Sequence, residues 1–307
     1  MDALLRSYGG EAAALATSAL WAFTAVFFTL ASLRIGSYTV NRARLVLAVL
    51  FLGISHALVH GSFFPAGAGA EAWLWLGLSG LVGLTLGDTL LFQALVDLGT
   101  QRAMLVMASW PILAALMAFA FLGEQLTVRE LAGVVLTLSS IAWVVAGGSG
   151  RATAGGAPAR GLRRGLLLAA GGAACQAAGV LLAKKGLSGG LPALSGTVAR
   201  MTVAAAGLWI VALFRRDAWD ALRRLSADRR GALFTACGAV TGPFLGVWLS
   251  LVAVKFAKVG VAAALMSLPP VLLLPIGRWV FKDPLSPRAL LGTSGALAGV
   301  WLLLLKT

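Results

Sequence analysis

Apolar runs alternate with short hydrophilic breaks along the whole chain. Ten such runs lie near residues 12–33, 44–60, 73–96, 103–122, 130–147, 165–183, 193–214, 231–254, 259–281 and 289–305. Each is long enough, as a helix, to cross a hydrocarbon core of roughly 30 Å, the longer ones with tilt. The pattern predicts an all-α polytopic membrane protein with ten transmembrane helices. The second run is the shortest, and His56 and His60 fall near its polar end. A hydrogen-bonded interfacial role suits them better than metal ligation, because no Cys, Asp or third His completes a set.

Two breaks are longer than the rest. "AGGSGRATAGGAPARGLRRG", residues 146–165, is built from Gly, Ala, Pro and Arg and has little to bury. It divides the chain into residues 1–147 and 164–307, with a linker at 148–163. The other, "FRRDAWDALRRLSADRR", sets Phe214, Trp219, Leu222 and Leu225 near one helical face among arginines. A short helix lying in the membrane interface fits, and so does a plain charged loop.

The halves repeat each other. A shift of 159 residues lays "GEQLTVRELAG" over "KDPLSPRALLG", pairing Glu124 with Asp283, Thr127 with Ser286, Arg129 with Arg288 and Gly133 with Gly292. The same shift pairs Pro111 with Pro270, Gly87 with Gly246 and Ala103 with Ala262, without a gap. Further upstream, Arg44 and Arg200 each open a segment at a shift of 156. Five spans per half is an odd number, so the second half enters the membrane from the opposite side. The expected architecture is two inverted five-helix bundles meeting around a central cavity, an arrangement suited to alternating access.

Composition agrees with the pattern. The chain is 59% hydrophobic and 12% charged, with a mean hydropathy of +0.91, too little polar material to cover a soluble protein of this length. A net charge of +14 would point to nucleic acid in a soluble chain. Here the arginines sit in the breaks, without interleaved aromatics, and read as topology signals beside anionic headgroups. The first segment carries Asp2, Glu11 and an apolar run too long for a signal-peptide core, so it reads as a retained span. Cys175 and Cys237 lie in different segments and read as small buried hydrophobes; neither a disulfide, a metal site nor a cofactor is expected. No HExxH, no serine beside a histidine base and no GK[ST] loop occurs, which argues against an enzyme and against built-in ATP hydrolysis.

The stretches "LGDTLLFQALVDLGTQRAMLVMASWPILAALMAFAFLGEQLTVRELAG" and "VAVKFAKVGVAAALMSLPPVLLLPIGRWVFKDPLSPRALLG" resemble the EamA-type branch of the drug/metabolite transporter superfamily. A small-residue segment, a proline, an acid and a glycine-bearing next helix follow in the family's order, in two units covering almost all of the chain. The resemblance implies a ten-helix secondary transporter of the plasma membrane, with small-molecule cargo such as amino acids in a central cavity. It leaves the cargo unnamed. The second copy departs from the first, with "KDP" in place of "GEQ" and Lys258 in place of Gly99. The first segment's "LWAFTAVFF" has no tryptophan-bearing counterpart in "ACQAAGVLLAKKG". A non-transporting membrane helper is the alternative reading.

Asp88 is the charge that an apolar run should not hold. At membrane depth it must be paired, hydrated or neutralised. It can lock the third segment to a neighbour, with Arg102 as one partner, helped by Gly83 and Gly87, which let another backbone come close. It can also face the cavity, where it would couple cargo to a proton, or touch cargo directly. Thr85, Asp88 and Phe92 share a broad helical face, whereas Gln93 lies about 140° away. With Trp21, Thr24, Trp110, Gln176 and Trp248 they make a lining that is aromatic and uncharged apart from Asp88. Such a lining suits amino acids, modified metabolites or lipophilic compounds better than phosphorylated sugars, which need fixed Lys or Arg. Gln176, among small neighbours, fits a tight helix contact as well as it fits cargo. Trp110 reads as packing at a kink made by Pro111. Pro269, Pro270 and Pro275 break the ninth segment, and the broken segments would wall the path.

Orientation draws conflicting answers. The odd-numbered breaks and their flanks carry sixteen Lys and Arg against seven on the other side, with Arg200 and Arg278 too deep to assign. The positive-inside rule then places the odd breaks in the cytoplasm and both termini outside. The family resemblance implies the reverse. The charge count is preferred, chiefly for Arg215, Arg216, Arg223, Arg224, Arg229 and Arg230 between segments seven and eight.

Overall fold

A computed structural model describes residues 2–98, 100–147, 162–214, 218–276 and 287–305. The expected linker, 148–163, lies outside them except for its last two residues, which open a helix. Regular structure among the described residues is helical. The first half contains α1 (Asp2–Ile35), α2 (Ser37–His60), α3 (Ala70–Ser79), α4 (Asp88–Leu98), α5 (Thr100–Met107), α6 (Trp110–Leu122) and α7 (Val128–Gly147). The second contains α8 (Leu162–Leu187), α9 (Ala193–Phe214), α10 (Ala218–Ala227), α11 (Arg229–Ala239), α12 (Val247–Phe256), α13 (Val259–Met266), α14 (Pro269–Ile276) and α15 (Pro287–Leu304). π-Helical stretches, Gly80–Gly87 and Val240–Gly246, join α3 to α4 and α11 to α12 without a break. Seven of the described helices are long and apolar enough to cross a membrane, and three shorter apolar ones are Trp110–Leu122, Val259–Leu273 and Leu290–Leu304. The protein is an all-α polytopic membrane protein.

Helix α2 corrects the expected second segment. It starts at Ser37 and runs for 24 residues, through Asn41, Arg42 and Arg44, so it is not short. Those polar residues had the look of a loop. They are helical because α2 packs on α9 and buries Asn41 and Arg42. At its far end His56 is buried and bonded to Ser195 Oγ (2.9 Å) and Ser62 O (2.5 Å), with His60 stacked on its ring at 4.5 Å. This is the hydrogen-bonded role expected of it.

The segments holding Pro111 and Pro269–Pro270 are broken, but not by a mid-helix kink. Pro111 sits in the first turn of α6, and Pro269 and Pro270 open α14. A proline there has no lost N–H bond to answer for, since first-turn N–H groups have no intrahelical partner anyway. The breaks fall one turn earlier, where Ser109 Oγ donates to Val106 O (2.7 Å) and Ser267 Oγ to Ala263 O (2.9 Å), serving carbonyls near each interruption. Pro275 lies within α14. Trp110 is buried in the hydrophobic core at the start of α6, with no mid-helix kink at Pro111 for it to fill.

The short segment between α9 and α11 is a helix, α10. Leu225 packs against the cluster of Ala31, Ile35 and Val40, while Phe214 ends α9, well exposed, and is not part of that face. The side chains of Trp219 and Leu222 lie outside the described ones. Asp228 then caps α11, accepting from Gly231 N–H and from Arg34 Nε (both 2.9 Å). Those two donors hold its carboxyl below the usual carboxylate range.

Small residues set the helix contacts, since lipid tails offer no apolar incentive to associate. Helix α8 runs along α3, the first π-stretch and α4. A Cβ on Gly179 would stand 2.8 Å from Gly83 Cα, and Ser79 Oγ donates to Gly179 O at 2.5 Å. Helix α1 likewise runs along α11, the second π-stretch and α12, where Gly242 and Gly246 make room for Thr24 and Trp21. Helices α7 and α15 meet through Gly133 against Gly299 and through Ser140 against Gly292 and Gly295. Replacing Gly179 by Val forces two backbones apart, and should lower the unfolding midpoint in detergent by an amount corresponding to about 1–3 kcal/mol. Gly189→Ala, with nothing within 4 Å, is the control and should leave the midpoint unchanged.

Candidate functional site

Asp88 follows directly on the first π-stretch, where glycines thin the helix wall. It forms an ion pair with Arg44 of α2, whose Nε also donates to Asn41 Oδ1 at 2.7 Å. Arg44 also lies 5.7 Å from the centroid of the Phe28 ring. Arg200 of α9 is in electrostatic contact with the same carboxylate. It is 3% exposed, and its Nε has no hydrogen-bond partner among the described residues. One of its terminal nitrogens lies 3.1 Å from where a Cβ on Gly83 would be, so the missing side chain there clears room for the guanidinium. Gly83 therefore serves both the α8 contact and Arg200.

Two expectations change. Asp88 has Arg44 as its ion-pair partner, with Arg200 within electrostatic reach; the side chain of Arg102, the partner considered earlier, lies outside the described ones. The surroundings of Asp88 are also not free of other charge, because Arg44 and Arg200 come to it from helices distant in sequence. The Arg44 pair satisfies Asp88, and among the described residues Arg200 leaves the cluster with one positive charge in excess. An intramembrane charge of this kind is costly unless matched.

The other proposed residues separate into groups. Thr24 Oγ1 is 2.9 Å from Thr241 Oγ1, and Trp21 lies beside Gly246, both on the α1 contact with the second half. Thr85 Oγ1 donates to Ala204 O at 3.0 Å, which ties the π-stretch to α9. Because Thr85 lies in a π-helical turn, the 100° spacing used to put it on one face with Asp88 does not hold across that stretch. The side chain of Phe92 lies outside the described ones. Gln93 donates to Asp97 Oδ1 at 2.8 Å, away from Asp88's partners. Gln176 sits on the turn of α8 where Gly87 approaches its backbone. Trp248 stacks near Phe244 at 6.2 Å, in a cluster that includes Leu84 and Met201, next in sequence to Thr85 and Arg200. Cys175 and Cys237 are free and partly buried.

A second charged region lies where α1 begins and α15 ends. Lys184 pairs with Glu124 (2.5 Å) and Lys258 with Glu130 (2.6 Å), each bond crossing from one half to the other. Glu124 also accepts the N–H of Val259 at 2.7 Å, and Lys184 donates to Ala257 O at 2.8 Å. A polar cavity of about 220 Å³ adjoins them, lined by Glu11, Arg129, Glu130 and Lys258 among others. A larger cavity of about 500 Å³ lies between α6 and α7, with exposed Ile112, Leu116, Phe119 and Leu131 on its walls and Glu124 at its edge; Asp88 is not in its lining. Sequence reasoning missed this ion-pair layer, although Lys258 standing where the other copy has Gly99 was its one visible trace.

The EamA-like transporter family model matches residues 9–146 and 163–305. The chain belongs to the EamA-like transporter family. This membership puts the protein among transporters rather than enzymes. Among the described residues no group of three or more His, Cys, Asp and Glu is placed to hold a metal ion. A search of curated proteins found no match. One solved structure, described only as a crystal structure of a protein, is 18% identical, with each chain covered over 96% and a TM-score of 0.70. That likeness shows the fold alone.

The charge count of the Asp88 cluster predicts an asymmetry between two variants of this EamA-like protein. Arg44→Gln leaves Arg200 facing Asp88, one charge of each sign. Asp88→Asn leaves the buried Arg200 and the half-buried Arg44 guanidiniums and no anion. Folded yield and unfolding midpoint should therefore fall much further in D88N, where the loss should approach about 3–5 kcal/mol, than in R44Q. Equal losses would show that Arg200 does not compensate.

Proposed function

We propose that this protein is a ten-helix secondary transporter built from two inverted five-helix repeats, residues 1–147 and 164–307, joined by a linker at 148–163. Its cargo is small metabolites such as amino acids or lipophilic compounds, exported across the plasma membrane through a central path between the halves. The observation that carries the reading is that tertiary contacts obey the 159-residue offset. Moving Gly133 and Gly299 by that offset, in opposite directions, gives Gly292 and Ser140, and both pairs are in contact. Ser79, Gly83 and Gly87 map likewise onto Gly238, Gly242 and Gly246, and each set lies on a helix interrupted by a π-stretch. Such exchange of equivalent contacts is what a two-fold repeat produces, and an odd number of spans per half makes that repeat an inverted one. Seven long apolar helices and three shorter ones equal the number of crossings in this reading.

Alternating access then needs two gates. The pairs Lys184–Glu124 and Lys258–Glu130 join the halves on the side of the termini and must part when the path opens there. With Arg44 and Arg200 beside it, Asp88 acts chiefly as the anchor of the cluster, and export against a gradient draws on an ion, with protons the first candidate. Purified protein in liposomes should take up radiolabelled amino acids or lipophilic metabolites faster than empty liposomes, and a protonophore should abolish accumulation but not exchange. No flux for any solute in a broad panel would favour the helper reading.

The orientation proposed keeps the odd-numbered breaks in the cytoplasm. Arg42 and Arg44 leave the count, since both lie in the membrane span Thr39–His60, but the bias survives their removal. Cysteine placed at Ser226, in a chain lacking Cys175 and Cys237, should resist a membrane-impermeant maleimide added to intact cells. Strong labelling would put both termini in the cytoplasm instead.

A further inference from the structure

We propose that Arg200 is an anion-recognition residue, and that the Asp88 cluster binds cargo carrying one carboxylate on an otherwise apolar body. The inference rests on the transport reading and narrows its cargo. Arg44 already has its carboxylate in Asp88 and its amide in Asn41. Arg200 has only a share of Asp88. Its guanidinium offers five N–H donors, yet it is 3% exposed with Nε unpartnered among the described residues. Burying a guanidinium with its Nε–H unfilled is unfavourable, and the fold makes room for it by placing Gly83 opposite its tip. A bound carboxylate would fill that fork with two parallel charge-assisted bonds, geometry that lysine or a neutral donor does not offer.

Charge selects the class. Two arginines and one aspartate leave a single positive charge, which a monocarboxylate neutralises. A phosphate monoester, close to two negative charges, would overshoot and leave the cluster negative inside the membrane. The remaining wall selects the body. Met201 and Ala204, on the same helix as Arg200, belong to a cluster against which Phe244 and Trp248 pack, and Phe51 lies 5.9 Å from Phe244. An aromatic or branched apolar group beside the carboxylate matches those rings.

The test compares 3-phenylpropionate with its neutral amide, by calorimetric titration of the full chain in nanodiscs. The acid should bind the wild-type protein at least tenfold more tightly than the amide. Arg200→Gln should weaken acid binding tenfold or more and leave amide binding unchanged, with Arg200→Lys recovering part of the loss. R200Q keeps the neutral Arg44–Asp88 pair and is therefore expected to fold, and the acid–amide comparison needs no variant at all. Equal affinities, absence of binding by the acid, or an unchanged R200Q would overturn the proposal. Tighter binding of phenyl phosphate than of the acid would overturn the single-charge argument. Flux in proteoliposomes separates the two readings. Arg200-dependent acid binding without flux sinks the transporter and keeps the site, whereas flux with no preference for the acid does the opposite.

Discussion

Backbone-to-backbone contact through glycine is the constraint on which the rest of this molecule depends. In a bilayer the lipid tails are as apolar as leucine, so helices gain from each other only by close packing and by hydrogen bonds. The approach of Gly179 to Gly83 supplies the packing, and the bond from Ser79 to the Gly179 carbonyl supplies the polar part. The same bare position at Gly83 is what admits the Arg200 guanidinium. A side chain there would have to displace both a neighbouring helix and a buried charge, so one glycine couples the scaffold to the site.

The polar groups inside the span follow from a second demand, that lipid leaves nothing unsatisfied. Ser109 and Ser267 serve carbonyls near the interruptions before α6 and α14, and Thr85 reaches the Ala204 carbonyl beside a π-stretch. Where the helical ladder is irregular, a short hydroxyl side chain supplies a bond. Arg200 stands out against this economy. Its Nε is buried and has no partner among the described residues, and that contrast is what marks the cluster as a place for something from outside the chain.

Charge also breaks the likeness of the two halves. The backbone contacts obey the repeat offset, while the ion pairs Lys184–Glu124 and Lys258–Glu130 do not, since Lys258 replaces Gly99 and Glu130 maps onto Ala289. Packing needs only small residues at equivalent places, and both copies keep them. Ion pairs need matched signs, and only one combination of the halves supplies them here. The side of the termini is thereby tied across the halves by pairs that the repeat does not duplicate.

The sequence by itself determined the class, the family and the repeat, because all three are written in local pattern: runs long enough to span, an ungapped offset, and an ordered set of glycine, proline and acid. It also pointed to the interrupted segments, since Pro111, Pro269 and Pro270 suit the first turn of a new helix. What it could not determine was partnership. Asp88 was visible as an anomaly, but Arg44 and Arg200 lie 44 and 112 positions away, and nothing in their immediate neighbourhood says that α2 and α9 converge on it. The face assigned to Thr85 and Asp88 rested on α-helical spacing, which a π-helical turn changes. Helix existence is a local property of the chain, whereas charge compensation is settled only when distant segments meet, and that is where the tertiary structure decided.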